Sequence, residues 1–351
     1  MGNTIMIMAG GTGGHVYPAL AVAQNLQEKG WRVSWLGTRK GLESRVIPEQ
    51  GIEIDWLTVS GLRGKGRLAL LKAPFMLMLA CKQAKTALQK RQPDVVLGMG
   101  GFVAGPGGLM AKIMGIPLII HEQNRIPGTT NRLLSGIANV VLEAFPGSFK
   151  KPTNAVCTGN PLRKFFSEAA KNKQFRNNKS LHILVVGGSL GAHILNMIVP
   201  SAIASVKEIR IKHQTGEKDF QQVKGDYAAN RVNAEVVSYI DNMAAVYHWA
   251  DLIICRAGAM TISEIAATGL PSILIPYPYA IDDHQTVNAR YLADAGAGVL
   301  IPQQQLTADL LAETINNVRS KLEQMSHAAR QCARLDASEK VAQICINEAK
   351  K

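Results

Sequence analysis

One pattern narrows the choice of fold for this chain more than any other: an apolar strand runs into a glycine-dense turn that opens a helix, and this happens twice. Thr4–Ala9 reads as a buried strand, Gly10-Gly-Thr-Gly-Gly-His15 is the turn, and Pro18–Lys29 reads as a helix with Pro in its first turn and Gly30 at its end. Leu181–Val186, Gly187-Gly-Ser-Leu-Gly-Ala192 and 193–205 repeat the order. Turns of this kind aim backbone N–H groups and the positive end of a helix dipole at an anionic ligand. Two of them in 351 residues predict an α/β chain of two Rossmann-like domains whose parallel sheets face across a cleft.

The remaining pattern fills in that plan. Strand-like runs are expected at 31–36, 53–59, 93–97, 116–120 and 139–142, then at 209–214, 234–238, 251–255, 272–275 and 298–301. A long helical pattern covers 68–90, and 306–350 is helical throughout. The segment 164–180 is polar, rich in Lys and Arg and poor in aliphatics, and marks the join. We therefore expect an N-terminal domain over 1–160, a C-terminal domain over 161–336, and a last helix in 337–351 that packs back on the first domain.

Composition limits the partners. The formal net charge is +13, from 39 Lys+Arg against 26 Asp+Glu, which asks for an anionic partner. Nucleic acid is not expected: aromatics are only 5% and no helix-turn-helix, zinc-finger or RNA-binding signature occurs. The 5 Cys are scattered with no C-x-x-C pair, so neither a zinc site nor a disulfide framework is indicated, and a reducing cytoplasm suits them. No basic, cleavable secretory leader opens the sequence, and no run reaches the ~18 apolar residues of a membrane span.

Single motifs leave alternatives open. The first turn is not a dinucleotide fingerprint, because position 16 is Val, and no Gly-Lys-[Ser/Thr] makes it a Walker loop. Arg39 after the second strand leaves only a faint NADP reading. So many glycines suit close backbone approach to a ligand better than a plain tight turn. His15, at the mouth of the turn, is either a helix-cap or surface residue or a general base. A third stretch, Ala257-Gly-Ala-Met-Thr-Ile-Ser-Glu264, follows the apolar Asp251–Cys255. By spacing, Thr261-x-x-Glu264 is a capping box, and that role is favoured on spacing alone. In the alternative, Glu264 grips a diol while Thr261 and the turn N–H groups hold phosphate. Arg163, after Asn160-Pro161, is a phosphate clamp or a surface residue. Asp282-Asp-His-Gln285 reads as a polar loop rather than a metal site. His121 and Asn124 end a strand where a ligand would lie, whereas His182, His213, His248 and His327 read as structural or surface residues.

The 68–90 helix carries a surface question. Leu68, Leu71, Phe75, Met78 and Leu79 share a face, and Lys65, Arg67, Lys72, Lys82 and Lys85 surround it. An amphipathic helix packed on a core is the ordinary explanation. Yet Pro74–Ala80 is apolar nearly all round with basic flanks, as befits a surface that dips into an anionic bilayer. Leu71, Lys72, Phe75, Met78, Leu79 and Lys82 are the candidate contacts.

Taken in order, the first glycine turn, the glycine-rich 98–108, His121-Glu-Gln-Asn124, Gly159-Asn-Pro-Leu-Arg163, the second glycine turn, 257–264 and Asp283-His-Gln-Thr-Val-Asn288 closely resemble the MurG family, the bacterial N-acetylglucosaminyltransferases of peptidoglycan synthesis. The resemblance implies a GT-B fold and inverting transfer of GlcNAc from UDP-GlcNAc to the muramyl 4-hydroxyl of undecaprenyl-linked lipid I, giving lipid II. It implies a peripheral enzyme on the cytoplasmic face of the inner membrane, touching its anionic surface and other cell-wall synthesis proteins, with no cofactor and no built-in metal. By motif, donor-binding roles pass to Thr12, Gly13, Gly14, Asn124, Arg163, Ser189, Ile240, Ala259, Met260, Thr261, Ile262, Ser263, Glu264 and Gln285. Glu264 is then expected on the ribose diol, against the capping-box reading, and Ile240 beside the uracil. One departure is Leu190, where the family often has Gln. Rival readings are a GT-B transferase with another lipid acceptor, a UDP-GlcNAc 2-epimerase, and a non-catalytic nucleotide-sugar sensor.

Overall fold

The computed structural model describes residues 3–59, 67–166, 180–188 and 192–350, with the side chains of 67–72 and Ile281 outside the description. The chain divides into two compact units, Met1–Arg163 with Leu335–Lys351, and Lys164–Arg334.

Unit 1 is a parallel sheet with helices on both faces. Its strands are β1 (Thr4–Met8), β2 (Arg32–Gly37), β3 (Glu53–Trp56), β4 (Val95–Gly98), β5 (Leu118–Glu122), β6 (Val140–Glu143) and β7 (Val156–Cys157). Their spatial order is β3-β2-β1-β4-β5-β6-β7. Its helices are α1 (Gly13–Glu28), α2 (Glu43–Glu49), α3 (Arg67–Arg91), α4 (Ala104–Ile113) and α5 (Thr129–Leu134). Alternate residues of β1 serve opposite faces: Ile5 and Ile7 pack with α1, and Met6 and Met8 pack with α3 and α4. A final helix, Ala337–Ala349, completes the α1 face, where Val341, Ala342 and Cys345 are fully buried.

Unit 2 repeats the plan. Its strands are β8 (Leu181–Val186), β9 (Ile209–Gln214), β10 (Ala234–Val237), β11 (Leu252–Cys255), β12 (Ser272–Leu274) and β13 (Gly298–Leu300). All are parallel, in the order β10-β9-β8-β11-β12-β13. Its helices are α6 (His193–Ala204), α7 (Phe220–Ala229), α8 (Met243–Trp249), α9 (Ala259–Thr268), α10 (His284–Ala293), α11 (Ala308–Arg319) and α12 (Leu322–Gln331); the last helix of unit 1, Ala337–Ala349, is then α13.

In both sheets the strand order reverses beside the first strand, between β1 and β4 and between β8 and β11. That reversal is where an open α/β sheet parts its helices and leaves room for a ligand beyond the strand ends. The first glycine turn follows β1, and Gly187-Gly188 and Arg256–Gly258 follow β8 and β11, whose ends pair as Val186 with Cys255. Among the described residues no helix is long and apolar enough to cross a membrane.

Candidate active site

The first glycine turn enters its helix earlier than its sequence suggests. α1 starts at Gly13, so Pro18 lies in the second turn rather than the first. At the sixth helical position Pro18 withholds the N–H that would otherwise donate to the Gly14 carbonyl. His15 thereby becomes part of the first turn, its N–H bonded to the Thr12 carbonyl at 3.1 Å.

Several glycines admit the protein's own atoms. A Cβ on Gly10 would lie 2.6 Å from Glu43 Oε1, and one on Gly101 would lie 2.5 Å from the Gly10 carbonyl oxygen. Both φ = 96° at Gly11 and an open face there leave that position, with the half-buried Gly14, turned to solvent or ligand. The turn is held from below by Glu43, which is fully buried. Its carboxylate accepts the Gly11 N–H at 2.9 Å, the Thr38 N–H at 2.8 Å and the Thr38 hydroxyl at 2.7 Å.

Beside this turn lies a polar cluster from the end of β5. His15 Nδ1 is 2.8 Å from Gln123 Oε1, and Gln123 Nε2 is 3.1 Å from His121 Nδ1. His121 is wholly buried, and that burial lowers its pKa from 6.5 to about 4, against smaller raising effects of the Gly159 carbonyl and Glu122. Glu122 accepts hydrogen bonds from the Asn124 N–H (2.9 Å) and amide (3.2 Å), the Gly128 N–H (3.0 Å) and the Asn131 amide (2.9 Å). It thus shapes the loop that carries Asn124. Arg163 lays its guanidinium over the ring of Tyr17 on α1, 4.9 Å from the centroid. Thr12, Gly13, Gly14, His15, Asn124 and Arg163 therefore share one end of unit 1.

In unit 2 the stretch 257–264 does not form a capping box. Gly258 is the N-cap of α9, so Thr261 stands at the third helical position and Glu264 one turn further on. Spacing favoured the box because it placed the helix start too late. Glu264 instead accepts a hydrogen bond from the Tyr247 hydroxyl at 3.2 Å, and Tyr247 is buried edge-on to Phe166. Intrahelical pairing begins with Ile262 N–H to the Gly258 carbonyl, so the N–H groups of Met260 and Thr261 belong to the unpaired first turn. Ile262 is fully buried and serves through packing, whereas Met260, Thr261, Ser263 and Glu264 are half-buried at the surface.

Gln285 secures this stretch. Its Oε1 accepts the Ala257 N–H at 3.3 Å and the Tyr277 N–H at 3.0 Å, joining the ends of β11 and β12. Arg256 adds a second tie, donating to the carbonyls of Ile275 and Pro276 at 3.1 Å each and to Gln303 Oε1 at 2.7 Å. Ile240 is buried just before α8, whose N-cap Asn242 accepts the Ala245 N–H at 3.0 Å. Ser189, with Leu190, lies outside the described residues. Among the described residues no group of three or more His, Cys, Asp or Glu side chains is placed to hold a metal ion.

Glu43, Gln123, Tyr247 and Arg256 are the site residues that sequence reasoning passed over. None carries a spacing signature. Gln123 alone stood inside a quoted motif, between His121 and Asn124.

The apolar surface of α3 is open. Phe75 is 72% exposed, Met78 63% and Leu79 45%. Neighbouring α4 and α5 add Ile113 and Leu133, exposed at 65% and 74%. Lys82, Lys85, Lys112 and Arg132 are exposed on the same helices. Leu71 and Lys72 have side chains outside the description.

Two parallel-sheet units, each with its glycine-bearing turn at the strand-order reversal, have the two-domain α/β architecture of the GT-B class, and the comparisons narrow that class. Residues 5–143 match the glycosyltransferase family 28 N-terminal domain and 182–344 its C-terminal domain, so the chain belongs to glycosyltransferase family 28. It is 58% identical over 354 residues, 99% of each chain, to the UDP-N-acetylglucosamine–N-acetylmuramyl-(pentapeptide) pyrophosphoryl-undecaprenol N-acetylglucosamine transferase of Methylococcus capsulatus. The crystal structure of Acinetobacter baumannii MurG superposes with a TM-score of 0.85 at 40% identity, covering 98% of this chain and 99% of that one. The UDP-GlcNAc 2-epimerase of Neisseria meningitidis shares the fold, with a TM-score of 0.67 at 13% identity over 98% of this chain and 100% of its own.

Proposed function

We propose that this chain transfers N-acetylglucosamine from UDP-GlcNAc to the 4-hydroxyl of undecaprenyl-pyrophosphoryl-MurNAc-pentapeptide (lipid I), with inversion, giving lipid II. The observation that carries this reading is the 58% identity, over 99% of both chains, to a transferase named for that reaction.

The chemistry follows from the two site ends. In unit 2 the first-turn N–H groups of α9, with Thr261 and Ser263, receive the pyrophosphate, and Glu264 accepts the ribose hydroxyls. Ala259 and Ile262 seat the helix, Ile240 lies by the uracil, Ser189 belongs to the same donor set, and Gln285 keeps the 257 turn in place. In unit 1 Thr12, Gly13, Gly14, Asn124 and Arg163 complete that set, and the same domain takes the acceptor. His15 removes the proton from the 4-hydroxyl as its oxygen attacks the anomeric carbon. The bond from that carbon to the β-phosphate oxygen breaks, and UDP leaves with the electron pair. The helix N-terminal dipole and Arg163 stabilise the departing charge.

A lipid acceptor requires the enzyme to work at a membrane surface, which in this proposal is the cytoplasmic face of the inner membrane. There the exposed apolar side chains Phe75, Met78 and Leu79 of α3 enter the bilayer interface, joined in this proposal by Leu71, while Lys72 and Lys82 meet anionic headgroups. Other cell-wall synthesis proteins are partners of the same location.

The decisive assay incubates the full chain with UDP-GlcNAc and a lipid I analogue. A disaccharide lipid with the inverted linkage is expected. Epimerised UDP-sugar formed without lipid, or no turnover with a competent acceptor, would overturn the proposal. Within that assay His15→Ala should lower kcat by about a hundredfold or more while leaving UDP affinity near its starting value. Unchanged turnover would remove His15 as the base.

A further inference from the structure

The hydrogen bonds around His15 have a direction that can be followed atom by atom. The Gly159 carbonyl oxygen can only accept, and it lies 3.0 Å from His121 Nε2, so Nε2 of His121 carries the proton. Burial keeps this imidazole neutral near pH 7, since its pKa is lowered to about 4. Its Nδ1 is then an acceptor. The group facing it at 3.1 Å must donate, and that group is Gln123 Nε2. A second acceptor fixes the same amide independently: Gln123 Nε2 also lies 3.2 Å from the His121 carbonyl oxygen. With its nitrogen end held by two acceptors, Gln123 turns Oε1 toward His15, 2.8 Å from Nδ1. An amide oxygen only accepts, so His15 Nδ1 must donate.

We infer that Gln123 and His121 are positioning residues that lock neutral His15 in its Nδ1–H tautomer, with the lone pair on Nε2. In water a neutral histidine favours the opposite tautomer, with the proton on Nε2. The relay reverses that preference, and so makes the ring nitrogen remote from the backbone the basic one. The inference rests on the reading of His15 as general base and states which atom of it takes the acceptor's proton.

Three further contacts brace the relay. The Asn131 amide donates to the His121 carbonyl at 3.1 Å, and the Asn160 amide donates to the Gln123 carbonyl at 3.1 Å. Gly100, at φ = 91°, leaves the space the imidazole needs, since a Cβ there would lie 2.9 Å from His15 Cε1 and Nδ1. All of these residues belong to unit 1, so the relay is complete within one folded unit.

The test reads the tautomer directly. In the full chain with 15N-labelled histidine rings, long-range 1H–15N correlations assign each His15 nitrogen as protonated or bare, His15→Gln identifying the signals. Protonated Nδ1 and bare Nε2 are expected at neutral pH, and a protonated Nε2 with bare Nδ1 overturns the inference. Gln123→Leu should return His15 toward the Nε2–H form and lower kcat by about tenfold to a hundredfold with little change in KM for UDP-GlcNAc. An unaltered tautomer in a folded Gln123→Leu protein also overturns it. The wild-type spectrum decides even where the variant fails to fold. Because the spectrum needs no turnover, failure of the tautomer assignment is distinguishable from failure of His15 as the base, which His15→Ala measures.

Discussion

In the proposed donor site Glu264 is the carboxylate that meets a neutral diol. The Tyr247 hydroxyl takes one of its oxygens at 3.2 Å, fixing the side chain at the start of α9. Hydrogen bonds from a diol to a charged group contribute about 1.5–3 kcal/mol. Glu264→Ala should accordingly raise KM for UDP-GlcNAc by about tenfold to a hundredfold, measured by steady-state kinetics, and leave the melting temperature nearly unchanged. Two buried histidines give the protein an acid limit. Burial lowers the pKa of His121 from 6.5 to about 4 and that of His213 from 6.5 to about 3. Below pH 6.5 the unfolded chain binds protons that these folded rings refuse, so stability is full above that value and falls as pH drops toward about 4. Urea melts at pH 7 and pH 5 should show the loss, and His213→Gln should flatten it for unit 2. At this scale the sequence drew attention to His15 and Glu264 because both sit in patterned turns, but its spacing misplaced the cap before Glu264, which is Gly258 rather than Thr261. It was silent for Glu43, whose three bonds to Gly11 and Thr38 join a loop and a turn with no spacing rule between them.

Among the elements, the parallel strands were the easiest to read, because burial on both faces writes them as unbroken apolar runs. Helices α2 and α5 and the two-residue β7 escaped notice, being too short to show a period. The start of α1 was misplaced because Pro18 mimics a first-turn proline. α3 is the element that carries the apolar surface on which the membrane proposal rests. Phe75 and Leu79 stand 72% and 45% exposed, a position that water does not reward. Immersing each such side chain is worth about 1.5–3 kcal/mol. The double variant Phe75→Ser, Leu79→Ser should therefore weaken sedimentation with anionic vesicles by about a hundredfold or more, with donor binding unaffected. Wild-type vesicle binding by this variant would move the membrane surface elsewhere on the molecule.

Seen whole, the chain leaves unit 1 after Arg163 and returns to it at Leu335. The two-unit plan was legible because the strand–glycine–helix opening restarts at Leu181; the helical pattern of 306–350 gave the last helix but not the core it joins. The exact switch points were not, since a join within polar sequence has no mark of its own. α13 supplies Val341, Ala342, Cys345 and Ile346 to the core that α1 and β1 share. Ile346→Ala should cost about 2 kcal/mol or more, and hydrogen exchange should show amides of unit 1 losing protection while those of unit 2 keep theirs. Equal loss in both would mean that the units unfold as one. The same route of the chain sets a timetable for biosynthesis. A ribosome adding about 5–20 residues per second makes all of unit 2 before α13, a delay of roughly ten to thirty seconds. Through that interval the nascent first unit waits with the apolar face meant for α13 uncovered, whereas the second unit, begun later, can finish first.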